Sequence, residues 1–410
     1  MRLAWQHKWP QAPPAPRTGG EPPLSSSQQA VVDAVTAVIQ GSCAEKRGFL
    51  VSGEAGSGKT HVVHALLQTA LRSQWRVLLV TPTARLADVY RQQYDAELLA
   101  IDTVDAAYHV WDENPFWCLP PFTLCIVDEV GFLDAGRFHR IYTEWTKADR
   151  EHALLCVGDA QQCLPPGGPP ALTHPGFKKF MRFQLDCNFR ARDPGWRNLL
   201  RSLRLRAPYA RELRKLIGHR VLAESVPTSA SLIQYLEHHP DGVLLAVRRA
   251  DVAHMNALVV SGLYEPKDSL GHCATLDGTD AVDLIMYKGM RVMITANADK
   301  RASLVNGAMA TVQKFTAGGL VLQLLDGRCG VLPRLTREIN GARKVGYPVT
   351  HGYALTIAKA QGQTLPSAAI WPVHGMPGQA YAAVSRCRSV EDVFWVTRPQ
   401  RSFFRLASDS

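Results

Sequence analysis

Two short stretches of this sequence carry residue types suited to chemistry on a phosphate chain. Gly53-Glu54-Ala55-Gly56-Ser57-Gly58-Lys59-Thr60 fits the pattern G-x-x-x-x-G-K-[ST]. Its glycines let backbone N–H groups turn inward around phosphate oxygens, and a helix opening behind the loop adds a favourable dipole. Lys59 would reach the β- and γ-phosphates of ATP, and the Thr60 hydroxyl would ligate Mg²⁺. The competing reading, a glycine-rich turn with an exposed lysine, has no use for that spacing. Leu124-Cys125-Ile126-Val127-Asp128-Glu129 is an apolar run ending in two carboxylates. Asp128 suits a metal ligand, and Glu129 a base that orients and deprotonates the attacking water. Alone, such a pair is a solvated strand end. Downstream of a phosphate loop it completes a nucleoside triphosphatase.

These groups need a rigid platform, and the surrounding pattern supplies one. The periodicity predicts a helix over residues 27–39, a strand over 48–52, a helix over 59–71, and strands over 76–80, 123–127 and 153–157. Short, continuously apolar strands separated by helices indicate a parallel sheet covered on both faces. A second βα region is expected from about Asn188 onward. Within it, residues 311–315 and 320–325, set around Gly318-Gly319, read as strands of a small β insertion.

Further segments raise the reading from a triphosphatase to a motor. Gly158-Asp159-Ala160-Gln161-Gln162-Cys163-Leu164-Pro165-Pro166 resembles motif III of superfamily-one helicases, and Asn188-Phe189-Arg190 resembles motif IV. Thr356-Ile357-Ala358-Lys359-Ala360-Gln361-Gly362-Gln363-Thr364 resembles motif V, and Tyr381-Ala382-Ala383-Val384-Ser385-Arg386 motif VI. Leu24-Ser25-Ser26-Ser27-Gln28 is similar to the Q motif of the superfamily 1B branch that holds the petite-integration-frequency (PIF) helicases, RecD and the phage Dda helicase. Lys288-Gly289-Met290-Arg291-Val292-Met293 and Leu304-Val305-Asn306-Gly307-Ala308 are similar to the lead into that branch's small β domain. The likeness is collinear from about residue 24 to 396.

The resemblance implies an α/β fold of two RecA-like P-loop NTPase domains, with a small SH3-like β insertion in the second. The expected divisions are a Pro-rich flexible tail (1–24), a first RecA-like domain (25–187) with a small insertion near 103–122, and a second (188–410) with the SH3-like insertion near 296–348. It further implies that Gln28 binds adenine, that Gln162 senses the γ-phosphate, and that Gly362 contacts nucleotide. Arg190 and Arg386 become arginine fingers, both carried by the second domain. Strand contacts fall to Thr81, Pro82, Thr83 and Thr103 in the first domain, and to Thr356, Lys359 and Gln363 in the second. Phosphate contacts of this kind grip without reading sequence. The implied activity is Mg²⁺- and ATP-dependent travel along single-stranded nucleic acid, DNA before RNA, in the 5′-to-3′ sense, with duplex unwinding.

Two clusters stay open between function and structure. Tyr108, Trp111, Phe116, Trp117 and Phe122 are either a stacking platform for bases or core packing. Arg190, Arg192, Arg197, Arg201, Arg204, Arg206, Arg211, Arg214 and Lys215 are either a phosphate-facing stripe or a solvated face. The chain also departs from the family pattern. Gly131 stands where Ser is common, Asp105 and Ala106 where His and Ser are common, and Ala358 where His is common, while Cys163 is inserted after Gln162. These departures bear on strand affinity and step coupling more than on phosphate chemistry.

Composition frames the rest. The formal charge of +10 and a pI near 9.2 favour a polyanionic partner. Every apolar run is broken short of the roughly 20 residues needed to span a bilayer, so no membrane association is expected. Nine scattered cysteines, none in a C-x-x-C pair, suit free thiols in a reducing intracellular compartment better than zinc or disulfides. The motif set is compatible with a monomer. Two rival readings remain, a viral-type superfamily-one RNA helicase and a strand-binding remodelling ATPase that does not unwind; a P-loop kinase is more distant.

Overall fold

Alternation of apolar strands and amphipathic helices dominates the first half of the chain. The structure, a computed structural model, describes residues 23–41, 47–94, 97–110, 119, 121–147, 152–162, 164–165, 168–277, 280–339 and 341–406. The N-terminal tail through residue 22, Trp111, Phe116, Trp117 and Cys163 lie outside the described residues. The chain divides into two compact units, one ending at Arg197 and the other running Asn198–Leu406.

In the first unit the elements follow as α1 (Ser26–Ile39), β1 (Gly48–Gly53), α2 (Lys59–Arg72), β2 (Val77–Thr81), α3 (Ala84–Gln93), β3 (Leu99–Thr103), α4 (Val104–Ala107), β4 (Leu124–Val127), α5 (Ala135–Lys147), β5 (Ala153–Gly158) and β6 (Met181–Leu185). The six strands form one sheet in the order β3-β2-β4-β5-β1-β6, parallel at every pairing. Side chains alternate across it with the period of two that a strand imposes. Phe49, Val51, Val77, Leu79, Leu124, Ile126, Leu155 and Val157 meet α1 and α2 through Val31, Val35, Val62 and Leu66. Leu50, Leu78, Val80, Cys125, Val127, Leu154 and Cys156 meet Phe138 and Ile141 of α5 on the other face. Functional groups then lie on the loops past the carboxyl ends of these strands, where open α/β sheets place their ligands.

The division between the units falls inside α6 (Pro194–Leu205), ten residues beyond the boundary expected at 187/188. The second unit continues with α7 (Ala210–Ile217), α8 (Ser229–His238), β7 (Val243–Ala246) and α9 (Arg249–Leu263). There follow β8 (Ser269–Asp277), β9 (Asp280–Tyr287), β10 (Arg291–Ile294), β11 (Met309–Thr316), β12 (Gly319–Leu324), β13 (Cys329–Leu332), β14 (Leu335–Ile339), β15 (Ala342–Gly346) and β16 (Val349–His351). The chain closes with β17 (Ala354–Thr356), β18 (Ala368–Ile370), α10 (Gln379–Val384) and β19 (Val393–Trp395). A four-stranded sheet, β17-β7-β18-β19, is parallel throughout. Between α9 and β17 the chain turns antiparallel: a five-stranded sheet β13-β12-β11-β10-β16 with hairpins β8-β9 and β14-β15. This insertion starts at Ser269, well before the expected 296, because β8 and β9 pair with each other and not with the parallel sheet.

Tyr108 is fully buried and Phe122 nearly so, both in the core under α5. For these two aromatics the packing reading holds and a base platform is excluded. No helix among the described residues is long and apolar enough to cross a membrane.

Candidate nucleotide-binding and catalytic site

The loop after β1 is shaped by glycines in the left-handed region, Gly56 at φ 84° and Gly58 at φ 79°. Gly58 is the N-cap of α2 and offers no side-chain cap, so the first N–H groups of that helix keep their capacity for an anion. Lys59 donates its Nζ to the carbonyls of Gly53 (2.8 Å) and Glu54 (3.0 Å), which curls the side chain back over the loop. Burial depresses the Lys59 ammonium pKa most, and nearby Arg190 adds to this. The carboxylates of Asp159, Glu129 and Asp128 pull the other way. The Ser57 hydroxyl is buried without a hydrogen-bond partner among the described residues. Thr60 is exposed at the loop's end.

The carboxylate pair sits where β4 stops. Asp128 is buried and accepts two hydrogen bonds, from the Tyr90 hydroxyl to Oδ2 (2.7 Å) and from the Glu129 N–H to Oδ1 (2.9 Å). Burial holds its carboxyl well above the usual range, the neighbouring Glu129 charge pushes the same way, and the Tyr90 hydrogen bond opposes both. Each Asp128 oxygen retains a second lone pair. Glu129 is bent into the left-handed region (φ 53°), and its Oε2 is buried with no hydrogen-bond partner among the described residues. A strained backbone and an orphaned carboxylate oxygen at one position are the marks of a functional residue. Directly behind it, a Cβ on Gly131 would stand 2.7 Å from the Asp159 carbonyl oxygen. Serine has no room there, so this departure has a packing cause.

Gln162 is buried and donates Nε2 to Asp159 Oδ2 at 3.3 Å. Gln28 is also buried, and its amide is shared: Nε2 donates to the carbonyl of Gly58 (3.2 Å) while Oε1 accepts the Ser25 N–H (2.9 Å) that completes the α1 capping box.

Arg190 requires a correction. It belongs to the first unit, beside the phosphate loop, and not to the second domain. The reason is the segment after β6: Asn188 donates Nδ2 to the Ala55 carbonyl (3.0 Å), and the Phe189 N–H donates to the Gly56 carbonyl (2.7 Å). Asn188 Oδ1 then accepts the N–H groups of Arg190 and Ala191, both at 3.0 Å. A Cβ on Gly56 would meet Arg190 Cβ at 2.6 Å, so only glycine admits this approach. Asn188 had a motif around it but no role assigned from sequence. Phe189, 61% exposed next to Gly58, is a second residue that sequence reasoning passed over.

Arg386 lies in the second unit and is 2% exposed. It donates Nε to the Ala382 carbonyl (2.9 Å), Nη1 to the Gln363 carbonyl (3.4 Å) and Nη2 to Ser385 Oγ (3.2 Å). The motif V and motif VI segments are thereby joined within that unit. Thr356 caps the turn that follows β17 through the Lys359 N–H (3.3 Å), and Gln363 Nε2 donates to the Lys359 carbonyl (2.9 Å). Gly362 sits at φ 79° between them. Burial lowers the Lys359 pKa, with Asp277 opposing. Asn256 of α9 positions this segment by pairing with the Ala354 N–H (2.9 Å) and carbonyl (3.3 Å).

Of the first-unit strand contacts, Thr81 is fully buried, with its hydroxyl turned onto the Thr83 carbonyl (2.9 Å). It shapes the loop and presents no hydroxyl to a strand. Thr83 and Thr103 cap α3 and α4, and Pro82 is half-buried between Thr81 and Thr83.

A glycine cradle on a helix N-terminus, with two carboxylates at a neighbouring strand end of a parallel sheet, is the arrangement of a P-loop nucleotide site. A family model described as an AAA domain matches residues 23–223. The chain is 34% identical over 186 residues to the ATP-dependent DNA helicase PIF1 of Danio rerio, covering 40% of this chain and 29% of the relative. Against the Homo sapiens protein of the same name it is 27% identical over 295 residues, 65% of this chain and 45% of the relative. The chain thus spans less than half the length of these relatives. In fold it is similar to the crystal structure of the Bacteroides Pif1 helicase in complex with ADP-AlF3 and ssDNA, with a TM-score of 0.71 at 19% identity over 93% of this chain and 94% of the other. In sequence the chain is similar to the PIF1 helicases over part of their length, and in fold it is similar to the Bacteroides Pif1 structure.

Proposed function

We propose that this protein is an ATP-dependent DNA helicase that moves 5′ to 3′ along single-stranded DNA and separates duplex ahead of it. The observation that carries the reading is the density of phosphate-directed groups gathered around the loop after β1. Lys59, two left-handed glycines, Arg190 and the Asp128–Glu129 pair converge in the first unit. The similar proteins are named as ATP-dependent DNA helicases, which favours a motor over a kinase and DNA over RNA.

In this reading Lys59 exchanges its loop carbonyls for the β- and γ-phosphate oxygens, and Arg190 faces the same chain from the other side. The residues fit Mg²⁺: Thr60 offers an exposed hydroxyl and Asp128 a lone pair on each oxygen. Bound Mg²⁺ supplies charge neutralisation on the transferring phosphoryl group. Glu129 takes the proton of the attacking water, for which its unpartnered Oε2 is suited. Gln162 reports the terminal phosphate to Asp159. Gln28 and Gly362 contact the nucleotide, with the Gln28 amide turning from the Gly58 carbonyl to adenine. Arg386 supplies the finger of the second unit. Thr83, Thr103, Thr356, Lys359 and Gln363 hold the strand, and the antiparallel insertion from Ser269 to His351 is the SH3-like domain.

The test is ATP hydrolysis with and without oligo(dT), paired with strand release from a forked duplex. Stimulated hydrolysis with release supports the proposal. Hydrolysis without release favours a remodelling ATPase, and stronger stimulation by RNA than by DNA favours the RNA-directed rival.

A further inference from the structure

Helix α3 ties three segments together through its own side chains. At its start the Thr83 hydroxyl accepts the Leu86 N–H (3.3 Å), and the Thr81 hydroxyl donates to the Thr83 carbonyl (2.9 Å), so the loop 81–83 is built onto the helix. Near its end Tyr90, fully buried, donates its hydroxyl to Asp128 Oδ2 at 2.7 Å. The next residue, Arg91, gives Nε and Nη2 to the Ile101 carbonyl (3.1 and 2.9 Å) and Nη2 to Asp102 Oδ1 (3.1 Å). That same Asp102 oxygen accepts the Thr103 N–H at 2.8 Å. Tyr90 has no freedom to swing: its ring packs 5.3 Å from His64 of α2, and His64 Nδ1 lies 2.7 Å from the Tyr94 hydroxyl.

We propose that Tyr90 is a positioning residue that sets the Asp128 carboxylate for Mg²⁺, and that α3 links this setting to strand binding at 81–83 and 103. This rests on the function proposed above, which makes Asp128 the metal carboxylate and those loops the strand contacts. A carboxylate pinned at both oxygens has its plane fixed. With Oδ2 released, only the Glu129 N–H on Oδ1 remains, and the group rotates about its last bond. Strand contact that shifts Thr83 or Thr103 moves α3 as a rod, because a helix resists compression and its ends are hydrogen-bonded to both loops. By reciprocity, metal loading must then change strand affinity as much as the strand changes metal affinity.

The experiment uses the full chain and a fluorescent, non-hydrolysable ATP analogue, titrated with Mg²⁺ with and without oligo(dT). In the wild type, oligo(dT) should lower the Mg²⁺ concentration at half-saturation. Tyr90→Phe should bind the analogue without Mg²⁺ within about twofold of wild type, yet need about tenfold more Mg²⁺, as loss of a hydrogen bond to a charged group would give. Its half-saturation should no longer respond to oligo(dT). Arg91→Met, cutting the other end of the link, should keep normal Mg²⁺ affinity and lose the oligo(dT) response. A wild type that binds oligo(dT) with no change in Mg²⁺ half-saturation overturns the coupling through α3, whereas failure to bind oligo(dT) at all counts against the helicase reading on which it rests. A wild-type response that both Tyr90→Phe and Arg91→Met retain overturns the role of α3.

Discussion

Arg190 and Arg386 are the same residue type read from sequence for the same task, and the fold treats them in opposite ways. Arg190 is half-buried in the first unit, on a segment clamped to the phosphate loop by Asn188 and the Phe189 N–H. Arg386 is almost fully buried in the second unit, where its guanidinium is spent on two carbonyls and a hydroxyl of its own surroundings. One sits on a segment bonded to the phosphate-loop backbone; the other, besides the finger role proposed for it, is bonded into the segments that surround it. A motif position alone does not separate these cases. What separates them is which backbone the neighbouring residues are hydrogen-bonded to.

The largest effect sets the floor for that comparison. Lys59→Ala should abolish ATP hydrolysis while leaving the melting temperature near wild type, and persistent hydrolysis would remove the cradle from the mechanism. Arg386→Ala should cut turnover by about a thousandfold and also lower stability, by about 1–3 kcal/mol for the Gln363 carbonyl that loses its donor, the Ala382 carbonyl keeping the Ser385 hydroxyl. Arg386→Lys keeps the charge and loses the fork, so it should recover little of the turnover. If Arg386→Ala melts like wild type, its buried hydrogen bonds contribute nothing and the contrast with Arg190 fails.

Arg190→Ala should reduce turnover by roughly a hundredfold, with weaker nucleotide binding and an unchanged melting curve. Calorimetric titration with ADP would show whether affinity falls; unaltered affinity would return Arg190 to a purely catalytic role. The smallest effect lies away from both arginines, at Glu212, whose carboxyl is held down to about 2 by hydrogen bonds from Arg206. A depressed carboxyl stabilises the folded chain above its unfolded value of 4.5 and loses that contribution as pH falls toward 2. At pH 7, Glu212→Gln should therefore melt no more than about 2 °C lower, and the two curves should converge between pH 4 and 2. Divergence on acidification would mean that the pair is not what holds the α6–α7 turn.

Legibility in the sequence followed contiguity. The phosphate loop, the 124–129 strand end and four of the first unit's six strands were readable because apolar runs, glycines and carboxylates adjoin one another along the chain. Tyr90 was not readable, since a tyrosine on a helix carries no mark of a carboxylate 38 residues away. The home of Arg190 was missed because β6, Met181–Leu185, alternates half-buried and exposed residues with only Leu185 buried, unlike the continuously apolar strands by which the first sheet was read. The early start of the β insertion did leave a trace, Asp277-Gly278 between two alternating runs, a common hairpin signal. Gly131 taught the reverse: a departure from the family pattern was explained only by the Asp159 carbonyl packed against it.

The hydrogen bond from the Phe189 N–H to the Gly56 carbonyl has a mechanical corollary. Any widening of the cradle to admit a triphosphate must either break that bond or drag residues 188–190 along. Pro194, where α6 begins, is four residues further on, so the chain passes from the rim of the phosphate loop almost directly into the helix within which the first unit ends.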